Sequence, residues 1–529
     1  MLFLQNLTYT HPNKDLLFDN INLTVNRQDK IALIGNNGAG KSTLLKIMAG
    51  VLPPSGGVMQ ADTVPYYIPQ LFGQFNDITV AQALQIEAKL RALHEILNGN
   101  VTDDNMTVLN DDWTIEERSK DALTHWGLEE MDLHRKMDTL SGGQKTKVFL
   151  AGIAIHQPEI VLLDEPSNHL DRSGRELLYE FIASASYTLI VVSHDRKLLN
   201  LLDTVCELSR RGITVYGGHY DFYREQKMIE SNALDQDIRS KEKALRKARE
   251  TERETAEKQQ KLDARGKKKQ EKAGLPTISM NTFRNNAEKS TARMKGVHAE
   301  KVDAISQGLN ELRKELPDMD KMKLGFDNST LHKGKILFTA NDINYQYGER
   351  LLWKEALTFQ ITSGERIALK GLNGSGKTTL INIILGKLEP TSGAVSRADN
   401  RTVYIDQDYS LIDNSLQVYE QAQRFNDAGL QEHEIKTRLT RFLFTKDYWD
   451  KPCSALSGGE KMRLMLCCLT ISDKTPDIIV LDEPTNNLDI QNIEILTVAV
   501  NEYKGTLIVV SHDEYFLEQI DVERVLELY

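Results

Sequence analysis

The chain has 529 residues, is 40% hydrophobic and 27% charged, and carries a net charge of -11. At roughly 100–200 residues per domain this length allows two to four domains, and the composition excludes a disordered or fibrous chain. No run of about 18 apolar residues occurs, so no helical membrane span is expected. The four cysteines, Cys206, Cys453, Cys467 and Cys468, form no CxxC pairs and no iron–sulfur run, which argues against those frameworks and for a reduced interior. Met1 to Asn6 lacks a basic stretch followed by a long apolar one, so a cytoplasmic chain without a signal peptide is expected.

The first half carries motifs in a definite order. IALI (Ile31 to Ile34) reads as a buried strand, GNNGAGKS (Gly35 to Ser42) as a glycine-rich loop, and TLLKIMAG as the helix after it. That context makes the loop a P-loop. Glycines let the backbone N–H groups of Gly35, Asn36, Asn37, Gly38, Ala39 and Gly40 wrap phosphates. Lys41 reaches the β- and γ-phosphates of ATP, Ser42 is placed to ligate Mg²⁺, and Thr43 follows in the same turn. Gln70 closes YYIPQ, and LSGGQ (Leu140 to Gln144) comes later. In VLLDEPSNHLD (Val161 to Asp171) a buried-strand pattern ends in Asp164 and Glu165. Asp164 can hold Mg²⁺, usually through water, and Glu165 is placed to polarise the attacking water. An acidic pair that merely caps the next turn is the plainer alternative. VVSHD (Val191 to Asp195) puts His194 at another strand end, where a lone histidine is more often structural.

A linker follows, roughly 221–335. From Ile229 to Gln270 it lacks proline, has glycine only at Gly266, and is rich in Glu, Lys, Arg, Gln and Ala, which predicts one long exposed helix. Gly274 and Pro276 break it, and Asn281 to Lys314 reads as a return helix. About 40 residues of helix span about 60 Å, so a helical hairpin is expected, with a disordered charged linker as the alternative. Arg239 to Lys295 holds 18 Lys/Arg against 8 Asp/Glu, a local balance of +10 that leaves -21 for the rest. A basic island in an acidic chain suggests a local polyanion contact. Arg265, Lys267, Lys268, Lys269, Lys272 and Arg284 cluster near the hairpin tip as candidate RNA-binding residues; a solvated helix face is the competing reading.

The second half repeats the first. GLNGSGKT supplies Gly371, Leu372, Asn373, Gly374, Ser375, Gly376, Lys377 and Thr378, followed by Thr379. Gln407 ends VYIDQ, LSGGE spans Leu456 to Glu460, Asp482 and Glu483 end the run in IVLDEPTNNLD, and His512 sits in VVSHD. Lys41 to Lys377 is 336 residues, whereas Asp164 to Asp482 is 318, so the first copy holds about 20 extra residues between Leu71 and Thr139. Recurrence is what places Gln70 and Gln407 with the ATP- and Mg²⁺-binding set, and what favours a γ-phosphate contact for His194 and His512. Aromatic or imidazole rings stand at matching places ahead of the P-loops, Tyr345 and Tyr347 in the second copy and Tyr9 and His11 in the first.

P-loop, glutamine, LSGGQ, DEP with a following LD, and SHD, in this order, resemble the ATP-binding cassette (ABC) ATPases over about four-fifths of the chain. The resemblance implies two ATP sites in a head-to-tail sandwich. Ser141, Gly142, Gly143 and Gln144 would cap the ATP held at Lys377; Ser457, Gly458, Gly459 and Glu460 would cap the ATP held at Lys41. A signature of this kind sits at a helix N-terminus, where backbone N–H groups favour a phosphate. Asp171 and Asp489 would touch across the interface, and both sites would hydrolyse ATP.

The layout is similar to ABC-F proteins: twin cassettes, an insertion within about 85–115, and YGGHYDFY (Tyr216 to Tyr223) leading into a long basic linker. That likeness implies an α/β fold with two ABC-type P-loop NTPase domains, 1–220 and 336–529, joined by a long α-helical hairpin over 221–335. It implies a monomer whose linker enters the tRNA exit site of the ribosome, against rRNA and peptidyl-tRNA, as a translation factor or an antibiotic-resistance factor. Two other readings compete. An ATPase subunit of a membrane transporter explains neither the basic island nor the hairpin, and a DNA-repair ATPase leads one to expect zinc cysteines or a very long coiled coil.

Overall fold

The computed structural model describes residues 1–12, 14–70, 73–209, 212–273, 297, 299–312, 332–348, 350–372, 374–473, 475–486 and 488–528. In the long helix starting at Tyr220, the description at 259–260, 263–264 and 266–273 is of backbone alone. The chain forms two compact units, one of Met1–Tyr223 with Lys323–Tyr529 and one of Arg224–Met322.

The first cassette runs β1 (Leu2–Thr10), β2 (Leu16–Val25), β3 (Lys30–Ile34), α1 (Lys41–Met48), β4 (Gly56–Ala61) and β5 (Tyr66–Ile68). It continues with α2 (Val80–Ala83), α3 (Glu87–Leu97), α4 (Asp103–Leu109), α5 (Ile115–His125) and α6 (Gly142–His156). It closes with β6 (Ile160–Asp164), α7 (Arg172–Ala183), β7 (Thr188–Val192), α8 (Arg196–Leu199), β8 (Thr204–Ser209) and β9 (Gly212–Tyr216). The main sheet has the order β5-β6-β7-β3-β8-β9 and is parallel up to β8, with β9 antiparallel at the edge. A second sheet, β2-β1-β4, packs its own apolar cluster against α1. Every residue of β6 and β7 is buried, as central parallel strands covered on both faces must be. Their unbroken apolar runs therefore deliver Asp164 and the residues after Val192 side by side at one sheet edge, since Asp164 registers with Val192.

The expected insertion takes the form of α3 and α4. It is not a purely surface arm: Leu90, Leu93 and Leu109 are buried in the cassette core. Leu97, Val101, Met106, Val108 and Trp113 remain exposed.

The linker helix α9 spans Tyr220–Ala273, 54 residues, longer than the run read from Ile229 to Gln270. At 1.5 Å per residue it is about 80 Å long. Within the smaller unit, residues 299–312 form a further helix, α10. Ile238 and Leu309 are buried there, and Lys241 Nζ donates to the Gly308 carbonyl at 3.4 Å. The break at Gly274 and Pro276, the start of the return helix and Arg284 lie outside the described residues.

The second cassette repeats the first: β10 (Ile336–Asn344), β11 (Gln346–Tyr347), β12 (Arg350–Leu351), β13 (Leu357–Thr362), β14 (Arg366–Gly371), α11 (Lys377–Ile384), β15 (Ser392–Arg397) and β16 (Thr402–Ile405). Then come α12 (Val418–Arg424), α13 (Glu432–Arg441), α14 (Lys446–Trp449), α15 (Gly458–Ile471), β17 (Ile478–Asp482), α16 (Ile490–Glu502), β18 (Thr506–Val510), α17 (Glu514–Gln519) and β19 (Arg524–Leu528). The main sheet is β16-β17-β18-β14-β19, and Asp482 registers with Val510. Among the described residues no helix is long and apolar enough to cross a membrane.

Candidate active site

Each P-loop leaves a sheet strand and enters a helix through a glycine in the left-handed region. Gly40 has φ 97° before α1 and Gly376 has φ 91° before α11, and neither helix has a side-chain cap. The first-turn N–H groups are thus open to an anion at the positive end of the helix dipole. Gly35 is required for a second reason: a Cβ there would lie 2.4 Å from the Leu208 carbonyl oxygen. Lys41 Nζ donates to the carbonyls of Gly35 at 2.6 Å and Asn36 at 3.3 Å. Lys377 Nζ does the same to Gly371 at 2.8 Å and Leu372 at 3.1 Å. Burial holds the Lys41 ammonium below its ordinary range, opposed by the charges of Glu165, Asp489 and Asp164. Asn373 lies outside the described residues.

The acidic pairs sit where β6 and β17 end. Burial pushes Asp164 up from the usual carboxylate range, opposed by hydrogen bonds from Ser42 and Tyr67. Its Oδ1 is buried without a hydrogen-bond partner. Asp482 accepts from Tyr404 at 2.8 Å, while Thr378 is exposed. Tyr67, which reaches Asp164 Oδ2 at 3.4 Å, and Tyr404 were not among the residues singled out from sequence. The signal was present: each stands three residues before the glutamine, Gln70 or Gln407, in both copies. Of those glutamines, Gln70 is half-buried and Gln407 exposed.

Glu165 and Glu483 occupy left-handed backbone, φ 53° and 49°, an unfavourable region for a non-glycine residue and one typical of functional turns. Their N–H groups donate to the carbonyls of Val192 and Val510, both at 2.8 Å, which turns each carboxylate toward the next strand end. There His194 Nε2 lies 3.2 Å from Glu165 Oε1, and His512 Nε2 lies 3.4 Å from Glu483 Oε1. Burial, and then the charge of Lys41, holds His194 well below the ordinary imidazole range. Burial, then Arg175, lowers His512 to about 4. Both imidazoles are neutral near pH 7, so these are polar contacts rather than ion pairs. Burial also raises Glu165 to about 8 and Glu483 to about 7.

The signatures are helix N-termini. Ser141 caps α6 and Ser457 caps α15, each through a reciprocal capping box. Gln144 Oε1 accepts from the Ser141 N–H at 3.0 Å, and Glu460 Oε2 accepts from the Ser457 N–H at 2.8 Å. The change from Gln to Glu therefore keeps the capping role that the residue plays here. The glycines also answer to packing: a Cβ on Gly143 would meet the His169 carbonyl oxygen at 2.7 Å, and one on Gly459 would meet Asn492 at 2.2 Å.

The aspartate after the second DEP motif bridges the two cassettes. Asp489 Oδ1 caps α16 by accepting from the Asn492 N–H at 2.8 Å. Its Oδ2 accepts from the Asn37 N–H of the facing P-loop, also at 2.8 Å. Asp171 caps α7 through the Gly174 N–H at 2.9 Å, and its charge acts on Lys377 and His512. Arg196 adds an ion pair to Glu494 at 3.2 Å and stacks over Tyr515 at 4.2 Å. Removing the Asp489 carboxylate by Asp489→Ala leaves α16 uncapped and the Asn37 N–H without its acceptor. The cap alone contributes about 1 kcal/mol, so the thermal midpoint falls, and steady-state ATP hydrolysis falls with it. Unchanged melting and unchanged turnover would show that the bridge is unimportant.

Of the aromatic candidates, the Tyr347 hydroxyl lies 3.1 Å from Thr379 Oγ1, and in the first cassette Tyr9 and His11 pack edge-on at 5.5 Å.

Two P-loops, each with an acidic pair and a histidine at neighbouring strand ends and each accompanied by a signature at a helix N-terminus, mark a twin-cassette nucleoside triphosphatase. The ABC transporter family model matches residues 18–168 and 355–486. The chain is 32% identical to the putative ATP-binding protein YdiF of Bacillus subtilis, over 97% of this chain and 78% of that one. It is 30% identical to ABC transporter F family member 5 of Arabidopsis thaliana, over 99% of this chain and 74% of that one. It is also 30% identical to the ribosome protection protein VmlR of Bacillus subtilis, over 98% and 84% of the two chains. Among solved structures the fold is similar to that of RNase-L Inhibitor, with a TM-score of 0.58 at 20% identity over 98% of this chain and 87% of that one. The chain belongs to the ABC-F family of ATP-binding cassette proteins. As such it is an ATPase.

Proposed function

We propose that this ATPase hydrolyses two ATP molecules at two sites shared between its cassettes, and that the cycle governs its binding to the ribosome. In the first site the loop from Gly35 to Gly40 wraps the phosphates, Lys41 meets the β- and γ-phosphates, and the α15 N-terminus closes the site from the other cassette. Glu165 polarises the water. Its oxygen bonds to the γ-phosphorus as the bond to the β–γ bridging oxygen breaks, while His194 contacts the departing phosphoryl group. Lys377, Glu483, His512 and the α6 N-terminus do the same in the second site.

Mg²⁺ fits the first site, and the second repeats its residue types. The unpartnered buried Oδ1 of Asp164 is the kind of atom a cation satisfies. Among the described residues no cluster of three or more His, Cys, Asp or Glu could hold a metal. Ser42, Gln70 and Asp164 would hold it in one site and Thr378, Gln407 and Asp482 in the other, where it would offset phosphate charge.

The ribosome reading rests on one observation above the rest: a basic 54-residue helix inserted between two intact cassettes. Arg265 is exposed on it; at Lys267, Lys268, Lys269 and Lys272 only the backbone is described. The relative named as a ribosome protection protein aligns over 98% of this chain, which supports the same reading. The linker would contact rRNA and peptidyl-tRNA in the tRNA exit site of a cytoplasmic ribosome, with the protein acting as a monomer. The exposed apolar side chains Leu97, Val101, Met106, Val108 and Trp113 offer a second contact surface. Such a protein either modulates translation or shields the ribosome from an antibiotic. Replacing Lys267, Lys268 and Lys269 together with glutamate removes about three phosphate contacts. It should weaken ribosome binding about 10-fold or more at 150 mM salt and flatten its salt dependence. ATP hydrolysis without ribosomes should persist. Equal loss of both would make the linker a structural part of the ATPase.

A further inference from the structure

The two P-loops lean on the same pair of side chains, with one difference of atom. A Cβ on Gly40 would meet Leu17 at 2.8 Å and Phe18 at 3.0 Å. A Cβ on Gly376 would meet Leu352 at 2.5 Å and Trp353 at 3.0 Å, and in Trp353 the atom met is the indole Nε1. LLF (Leu16 to Phe18) and LLW (Leu351 to Trp353) thus occupy one place in the two cassettes, each closing against the glycine that precedes the P-loop helix. Phe18 and Trp353 are both 1% exposed, in apolar clusters that also hold side chains of α1 and α11.

The difference is a hydrogen bond. Trp353 Nε1 donates to the Ser375 carbonyl at 3.0 Å, and a phenylalanine has no such donor. The loops otherwise make the same turn here: the Ser375 N–H donates to the Leu372 carbonyl and the Ala39 N–H to the Asn36 carbonyl, both at 3.1 Å. Trp353 is itself held in place. Asn344, 5% exposed, accepts from the Trp353 backbone N–H at 3.2 Å and donates to its carbonyl at 2.7 Å. Thr8 has that place in the first cassette, since Thr8 registers with Gly56 where Asn344 registers with Ser392. The Thr8 hydroxyl donates instead to Asp19 Oδ1 at 2.5 Å.

We propose that Trp353 is a positioning residue for the second P-loop, and that the second site takes nucleotide more tightly than the first because of it. A peptide unit is planar and trans, so its C=O and N–H point in opposite directions. Holding the Ser375 carbonyl on the indole turns the Gly376 N–H away from the apolar cluster, to the outer side of the loop where the phosphates are taken up. Phe18 gives the peptide unit between Ala39 and Gly40 no such hold. More of the ordering of the first loop then falls to the moment of binding, which lowers affinity. The inference rests on the P-loop assignment above and adds an order of affinity to the two sites.

The test is photolabelling of the full chain with graded concentrations of 8-azido-ADP, the label in each cassette being counted after cleavage between them. ADP is not turned over, and a half-saturating concentration does not depend on how efficiently a cassette is labelled. The second cassette should half-saturate at a concentration about threefold or more below the first, within what one net hydrogen bond supplies. Trp353→Phe should raise the second cassette's value to near that of the first and leave the first unchanged. The first cassette already carries Phe18 at this place, so the smaller ring suits the fold. Phe18→Trp should lower the first cassette's value, a gain that a folding defect does not produce. A merely structural Trp353 would shift the melting midpoint without moving the ratio of the two values. Equal half-saturation in the wild-type chain, or a ratio that Trp353→Phe leaves intact, overturns the inference alone. No saturable label in either cassette overturns the P-loop assignment beneath it.

Discussion

Replacing both Glu165 and Glu483 with glutamine should lower ATP hydrolysis by about 10²- to 10⁴-fold, the range a positioned acid–base group supplies. ATP binding should survive. Glutamine keeps the size of the side chain and can hold the left-handed backbone that glutamate already occupies at both positions. It leaves the Lys41 and Lys377 hydrogen bonds to their loops untouched, because neither involves the glutamates. What it removes is the carboxylate that polarises water beside His194 and His512. Phosphate release measured at saturating ATP, alongside binding of a fluorescent ATP analogue, separates the two effects. Turnover within about tenfold of the wild-type chain would assign water activation to another group.

The same substitutions should alter stability in a pH-dependent way. Burial raises Glu165 to about 8 and Glu483 to about 7, above the ordinary value of 4.5 for a glutamate in the unfolded chain. For a group raised on folding, the stabilising contribution is complete below the unfolded value and is lost as pH rises through the folded one. Stability of the nucleotide-free wild-type chain should therefore decline between about pH 4.5 and 8 on account of these two residues. At about 1.4 kcal/mol per unit, each contributes on the order of a few kcal/mol. The histidines act oppositely. His194 and His512 are lowered on folding, so their contribution rises with pH up to the ordinary imidazole value near 6.5. Comparing thermal midpoints of wild-type and double-glutamine chains cancels the histidine part. The variant should gain stability over the wild-type chain as pH is raised from 5 to 8.5, and a constant difference would show that burial does not hold the glutamates protonated.

Much of this site was legible in the sequence because its chemistry depends on spacing along single segments. A glycine-rich loop between a strand and a helix, and an acidic pair ending an apolar run, are local patterns, and local patterns survive translation into letters. The fold class came with the resemblance to ATP-binding cassette proteins that those patterns carry. What escaped depends on distant segments meeting. Tyr67 reaches Asp164 only because β5 and β6 are sheet neighbours. Asp489 reaches Asn37 across 452 positions of chain. Glu460 stands where the first signature has Gln144, and only the backbone setting shows that glutamate and glutamine make equivalent caps there. The insertion is a milder case. Its polar residues mask three leucines, Leu90, Leu93 and Leu109, that tie it into the core.

The central claim is that ATP-bound closure of the cassettes positions the linker on the ribosome and that hydrolysis ends the encounter. The most direct measurement is co-sedimentation of the Glu165→Gln, Glu483→Gln chain with 70S or 80S ribosomes through a sucrose cushion, with ATP and without nucleotide. The account predicts that the variant pellets with ribosomes in ATP and stays in the supernatant without it, while the wild-type chain pellets weakly because it hydrolyses and leaves. A variant that binds ATP yet remains free of ribosomes in its presence would contradict the account.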